Sequence, residues 1–235
     1  MAEAIKNLNT QLAGIVTFLD VLGWKGVYDR HSDAIDRLRR LVESVKSNAI
    51  QKRRGRIIGQ VDVQSISDTI AIFTFCSEKE ISTAIEIHGE LCQHLIPASI
   101  RVGLPMRGAT AYGSFEISDN IFVGKAVDEA ASWHEQGNWI GVNLTPSAEF
   151  VFSKEKSISA WVKYAVPTKT SMKWSPHCVN WFDEWTDFER DKKSVREEFL
   201  RMGPIVPEVA PKFINTLAFI DDMKNEMTSL SDQAR

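Results

Sequence analysis

A chain of 235 residues, 43% of them hydrophobic and 25% charged, is long enough to bury one sizeable core, which excludes a disordered or fibrous polypeptide. The formal net charge of -3 gives no general attraction to nucleic acid or to an anionic membrane, so a polyanionic ligand has to be held by a local site. Cys76, Cys92 and Cys178 are odd in number and lack metal-type spacing, which predicts buried thiols in a reducing compartment. No segment reaches the ~18 to 20 apolar residues of a bilayer span, so the expected location is the cytoplasm.

In chain order, residues 13 to 20 form a β-branched and aromatic run that ends on Asp20 and meets Gly23 and Gly26, a strand feeding a tight loop. From Tyr28 to Lys52 the positions Ala34, Leu38, Leu41, Val42, Val45 and Ile50 recur at helical spacing among charges. Residues 56 to 66 and 69 to 75 are β-rich and separated by Ser67 and Asp68, which predicts a hairpin with an acid at its tip. A second amphipathic helix is expected near 79 to 96, a strand over Ile100 to Phe115, another over Ile121 to Gly124, and a helix from Lys125 to Gln136. Short strands follow at Trp139 to Asn143, Trp161 to Val166 and His177 to Trp181, with a short helix from Thr145 to Phe150 between the first two. Strands interleaved with helices, but holding one direct hairpin, indicate an α+β sandwich of the ferredoxin-like kind with helices on one sheet face. The pattern divides the chain into a domain over 1–183 and a helical C-terminal appendage over 184–235, broken by Pro204, Pro207 and Pro211 and standing outside the core.

In such a sheet the strand that ends on Asp20 and the hairpin that turns on Asp68 are central neighbours, so their acids can meet at one edge. Two carboxylates aimed at one point repel unless cations lie between them, and hard oxygen ligands favour Mg²⁺ or Mn²⁺. Such a pair can hold two ions, one activating a hydroxyl and one neutralising a phosphate leaving group. The loop Val21, Leu22, Gly23, Trp24 would offer backbone N–H groups to a triphosphate. The plainer reading leaves Asp20 as a helix cap and Asp68 as a turn former.

Phe18-Leu19-Asp20-Val21-Leu22-Gly23-Trp24 resembles the first metal-binding segment of class III nucleotidyl cyclases, and Gln64-Ser65-Ile66-Ser67-Asp68 resembles the second. Phe122 to Ser132 is similar to a third family segment, with Gly124, Val127, Asp128, Ala130, Ala131 and Ser132 at its key places. The three occur in order within residues 12 to 182. The resemblance implies a class III cyclase sandwich that works as a head-to-tail homodimer with composite active sites. Asp20, Val21 and Asp68 would hold two metal ions in one chain, while the partner chain supplies ribose and base contacts. The ribose 3′-hydroxyl of a nucleoside triphosphate would attack the α-phosphate in line, expelling pyrophosphate.

Several positions depart from the family pattern. Its transition-state asparagine falls on Asp128 and its arginine on Ser132, exchanging a donor for an acceptor and removing a fixed positive charge. Lys125, or Lys169 in the segment that resembles the family's phosphate-contacting lysine, could compensate. The base-reading slots hold Gln64 and Ile121, neither the adenine nor the guanine pattern, and an amide that both donates and accepts can read uracil or cytosine. Compact architecture and non-purine slots resemble the pyrimidine cyclases of bacterial Pycsar antiphage systems, whose cyclic UMP or cyclic CMP activates a separate effector protein. An adenylate or guanylate cyclase with unusual base contacts, and a nucleotide-binding pseudo-cyclase, remain as alternatives.

Overall fold

Alternating apolar residues along the strands build a sheet with two buried faces, and its central strands meet the acids at one end. A computed structural model describes residues 13–52, 54–56, 58–119, 121–152, 159–170, 172–188 and 194–233, so Met1 to Leu12 lie outside it. The strands are β1 (Ala13–Val21), β2 (Val61–Ile66), β3 (Thr69–Phe75), β4 (Met106–Ser114), β5 (Glu116–Ser118), β6 (Ile121–Val123), β7 (Val142–Leu144), β8 (Trp161–Lys163) and β9 (His177–Val179). The helices are α1 (Val27–Arg30), α2 (Ala34–Lys52), α3 (Ile81–Arg101), α4 (Lys125–Trp133), α5 (Pro146–Val151), α6 (Phe182–Phe188), α7 (Val195–Arg201) and α8 (Ala210–Gln233).

Seven strands form one sheet in the order β2-β3-β1-β4-β7-β9-β8, and β5 pairs with β6 in a separate hairpin. β1 runs antiparallel to both β3 and β4, so β4-β1-β3-β2 has the strand order and directions of a ferredoxin-like α+β sandwich. β4 and β7 pair in parallel and extend the sheet toward β9 and β8. The Ile66–Thr69 pair closes the β2–β3 turn on Ser67 and Asp68, with Ser67 at φ 54, so the predicted hairpin tip stands where the alternation placed it.

Successive side chains of a strand alternate between faces. On β1, Ile15, Leu19 and Val21 join the core under α2 and α3, whereas Val16 and Phe18 pack with Ala126, Val127 and Ala130 of α4. Helices therefore cover both faces, not one as the sequence suggests, because α4 carries its own small apolar stripe. Phe18, Phe73 and Phe122 meet edge-on or tilted at 5.1 to 6.3 Å within this second cluster. At the first face, α3 runs through Pro97 to Arg101, so Ile100 ends a helix instead of starting a strand. α2 begins only at Ala34, and Ala49 is buried while the expected core residue Ile50 is 68% exposed. Gly89 leaves room for the Trp161 ring, since an added Cβ would lie 2.4 Å from its Nε1, which donates to the Ile85 carbonyl at 3.0 Å.

The helices after Trp181 are seated on the core, which corrects the expectation that they stand outside it. Phe219 is fully buried with its ring 5.0 Å from both Trp139 and Tyr164, and Val195, Phe199, Ile220 and Met223 join the same cluster. Large apolar side chains at helical spacing had to find a surface, and the tryptophans around β8 and β9 supply it. Cys92 and Cys178 are buried free thiols and Cys76 is half-buried.

Candidate functional site

β1 and the β2–β3 hairpin carry Asp20 and Asp68 to the same end of the central sheet. Asp20 pairs across the ladder with Thr69 on one side and with Arg107 on the other, and the Val21 amide donates to the Asp68 carbonyl at 3.3 Å. Burial, followed by the negative charge and hydrogen bond of Asp68, pushes the Asp20 carboxyl up to about 6, while Arg107 and His134 pull it down. A divalent cation between the carboxylates would relieve that repulsion, and two hard oxygen donors suit Mg²⁺ or Mn²⁺. Among the described residues no third His, Cys, Asp or Glu converges to complete a cage. The remaining ligands would be water and phosphate oxygens, a sharing typical of Mg²⁺. The donor set therefore fits the expected ions.

Arg107 is the residue that sequence reasoning passed over. It is buried in β4, its Nη2 lies 3.7 Å from Asp20 Oδ2, and its Nη1 donates to the carbonyls of Glu135 and Gly137 at 2.9 and 3.1 Å. At 3.7 Å the contact with Asp20 is an ion pair rather than a hydrogen bond. The signal in the sequence was an arginine inside an otherwise small and apolar strand, a residue type rarely buried without a partner. His134, just past α4, is the second unannounced neighbour of Asp20; its ring stands 6.3 Å from that of Phe18.

The loop after Asp20 is tight: Gly23 and Gly26 both take φ 74, and Arg30 donates to the Gly23 carbonyl. The Leu22 amide is bound to the Pro105 carbonyl at 2.8 Å, which removes it from the donors expected there. Val21 is buried, and Leu22 and Trp24 are half-buried against the core. Lys169 lies 3.9 Å from Glu135 and its amide donates to the Gln136 carbonyl, so it stands on the same segment that Arg107 braces.

Other predicted residues stand apart from the acids within one chain. Gln64 shares the sheet face of Asp20, because both Gln64 and Phe18 pair with Ala71, but it is two strands away, about 10 Å across the sheet. Its amide nitrogen donates to Asp62 at 2.9 Å and its oxygen is buried with no partner among the described residues. Ile121 is 69% exposed on β6. Lys125, Asp128 and Ser132 lie on the exposed side of α4, and the Ser132 hydroxyl donates to the Asp128 carbonyl one turn back.

The architecture is thus a mixed α+β sandwich whose central strands present two acids and an arginine at one edge. The chain matches no protein-family model and no curated relative. Among solved structures it is similar to the catalytic core of a rhodopsin-guanylyl cyclase with converted specificity in complex with ATPαS, at 16% identity and a TM-score of 0.49 over 72% of this chain and 95% of that one. It is also similar to the guanylyl cyclase Cya2, at 9% identity and a TM-score of 0.43 over 71% and 90% of the two chains. An adenylate/guanylate cyclase/hydrolase from Silicibacter pomeroyi overlaps at 12% identity and a TM-score of 0.44, over 71% and 94%. Among the described residues no helix is long and apolar enough to cross a membrane.

Proposed function

We propose that this protein is a metal-dependent nucleotidyl cyclase that converts a pyrimidine nucleoside triphosphate, UTP or CTP, into its 3′,5′-cyclic monophosphate and pyrophosphate. The observation that carries the reading is the convergence of Asp20 and Asp68, from β1 and a hairpin tip, where burial and the negative charge of Asp68 raise the cost of ionising Asp20. Bound there, divalent cations would neutralise phosphate charge and make the ribose 3′-hydroxyl easier to deprotonate. In the reaction the 3′-oxygen bonds to the α-phosphorus as the bond to the β-phosphate bridging oxygen breaks, and the hydroxyl proton leaves to solvent. Arg107 keeps Asp20 ionised and aimed by sharing its guanidinium with the Glu135 and Gly137 carbonyls. Lys169 offers a cation to the phosphates from the same segment.

A composite site in a homodimer accounts for what a single chain keeps apart. Gln64 lies about 10 Å across the sheet from Asp20, while Asp128 and Ile121 lie on exposed surfaces with Val123, 55% exposed, nearby. In this reading a second copy brings Gln64, Ile121 and Asp128 to the base and ribose of a nucleotide whose phosphates rest on Asp20 and Asp68. The unpartnered buried oxygen of Gln64 would accept from the N3–H of uracil or the exocyclic amine of cytosine. The resemblance to Pycsar cyclases supports a role in antiphage signalling, with a separate effector protein reading the cyclic product.

The test is incubation of the purified chain with ATP, GTP, CTP and UTP separately, in Mn²⁺ and in Mg²⁺, with products identified by chromatography and mass. A cyclic pyrimidine is the expected result. A cyclic purine would retain the reaction and remove the base assignment, and no cyclic product from any nucleotide would refute the enzymatic reading.

A further inference from the structure

Beside the loop that follows Asp20, a cleft opens between Leu22–Gly23 and the stretch that joins α7 to α8. Its walls include Arg30, His31 and Lys212, and among the described residues no carboxylate lines it. A cleft whose ionisable lining is wholly cationic or neutral, next to an acid pair suited to metal, has the charge of a polyphosphate seat. Arg30 is held by the Gly23 carbonyl, which fixes one guanidinium on the loop itself. Lys212 comes from the far end of the sequence. Its ammonium has one weak tie, to the Glu208 carbonyl at 3.4 Å, so it keeps donors to spare.

The position of Lys212 is set by firm contacts one turn further along α8. Asn215 donates to the Asn138 carbonyl at 2.7 Å, and the Ile140 amide donates to the Thr216 hydroxyl at 2.8 Å. That puts the first turn of α8 over the segment whose Gly137 carbonyl receives Arg107. Burial, and then the positive charges of Arg107 and Lys169, push the Lys212 ammonium below its ordinary value, so the three cations lie within electrostatic reach of one another. Ser132 leaves the family's fixed cation missing, and Lys212 is a cation that the family's segments do not contain.

We infer that Lys212, with Arg30, forms a binding site for the β- and γ-phosphates of the substrate, so that the C-terminal helix supplies in the same chain the positive charge that Ser132 does not. The inference rests on the cyclase reading for the identity of the substrate but not for the presence of the anion site. Lys212 is a phosphate-binding residue: it neutralises the departing pyrophosphate and takes no proton from the ribose.

The experiment is calorimetric titration of the full chain with inorganic triphosphate in the absence of metal, alongside cyclase kinetics. Lys212→Gln should weaken triphosphate binding at least about tenfold, Lys212→Arg should restore most of it, and Lys46→Gln on exposed α2 should change nothing. In turnover Lys212→Gln should raise KM for the nucleotide triphosphate and also lower kcat, because the charge both binds the ground-state phosphates and neutralises the leaving group. Undiminished triphosphate binding by Lys212→Gln would overturn the inference even if the chain cyclises nucleotides. Loss of triphosphate binding in a chain that forms no cyclic product would retain the anion site and discard the cyclase.

Discussion

His88 offers a quantitative check on how the central sheet is held. It is fully buried on α3, with Nδ1 2.7 Å from the Thr17 hydroxyl and Nε2 3.0 Å from the Thr74 hydroxyl, and Thr17 continues to Thr110 at 2.7 Å. Only hydroxyls face the ring, so nothing compensates an imidazolium, and burial lowers its pKa from 6.5 to about 3. Between those values the unfolded chain binds a proton that the folded chain refuses, so stability is lost as pH falls below 6.5. Moving from pH 7 to pH 5 therefore costs about 2 kcal/mol through His88 alone. Asp20 acts in the opposite sense: its carboxyl, raised to about 6 without metal, takes up a proton in the folded chain over the same interval and offsets part of that loss. The non-ionising variant His88→Gln should thus differ from wild type in its pH response by about 2 kcal/mol, some 4 to 8 °C in Tm for a chain of this size. The assay is thermal and urea unfolding in EDTA at pH 7 and pH 5 for both proteins. Parallel pH responses would refute the argument, whatever the absolute cost of losing the two threonine contacts.

Four further outcomes test other parts of the molecule. Asp68→Asn should abolish Mn²⁺ binding by calorimetry and abolish turnover while leaving the circular dichroism unchanged; a variant that still binds and cyclises would remove Asp68 from the metal site. Gln64→Ala should change the ratio of kcat/KM between pyrimidine and purine triphosphates at least about tenfold with metal dependence unaltered, and an unchanged ratio would remove Gln64 from the base pocket. Arg107→Met should cost about 3 to 5 kcal/mol in urea unfolding, because it leaves the half-buried Asp20 carboxylate without its ion-pair partner and two carbonyls without their donor; a cost below about 1 kcal/mol would contradict the bracing role. Phe219→Ala should cost about 3 to 5 kcal/mol by opening a cavity among Trp139, Tyr164 and Trp181, and a negligible cost would show that α8 is not part of the core.

The parts of this fold that were legible in the sequence are those fixed by local pattern. The β-rich runs 56–66 and 69–75 about Ser67-Asp68 locate the hairpin tip, although β2 begins only at Val61, and the run that ends on Asp20 locates the other acid. Arg107 was visible as a charge in an apolar strand, but its partnership with Asp20 depends on the β1–β4 register, which no local pattern encodes. The helix expected near 79 to 96 continues through Pro97 to Arg101 because the apolar stripe through Leu95, Ile96 and Ile100 keeps its place on the sheet. The tail looked separate because prolines punctuate it. What seats it is a set of tryptophans scattered from residue 139 to 185, whose assembly into one surface is a tertiary event.

That seating gives the site a mechanical unity that the separate motifs do not suggest. Arg107 joins the carboxylate of Asp20 to the carbonyls of Glu135 and Gly137, and the next few residues, Asn138 and Ile140, receive Asn215 and Thr216 of α8. Lys169 stands on the same segment through the Gln136 carbonyl. One short stretch, 135–140, is therefore the common mount of Asp20 and of two lysines drawn from distant parts of the chain. A polyphosphate that bridged metal and Lys212 would strain against that mount, not against a flexible tail. Preorganised charge of this kind stabilises a transition state without the cost of gathering the charges during the reaction. The core packing of Phe219 and the electrostatics of the site are on this view one device, since the helix that fills the tryptophan surface is the helix that fixes the cation.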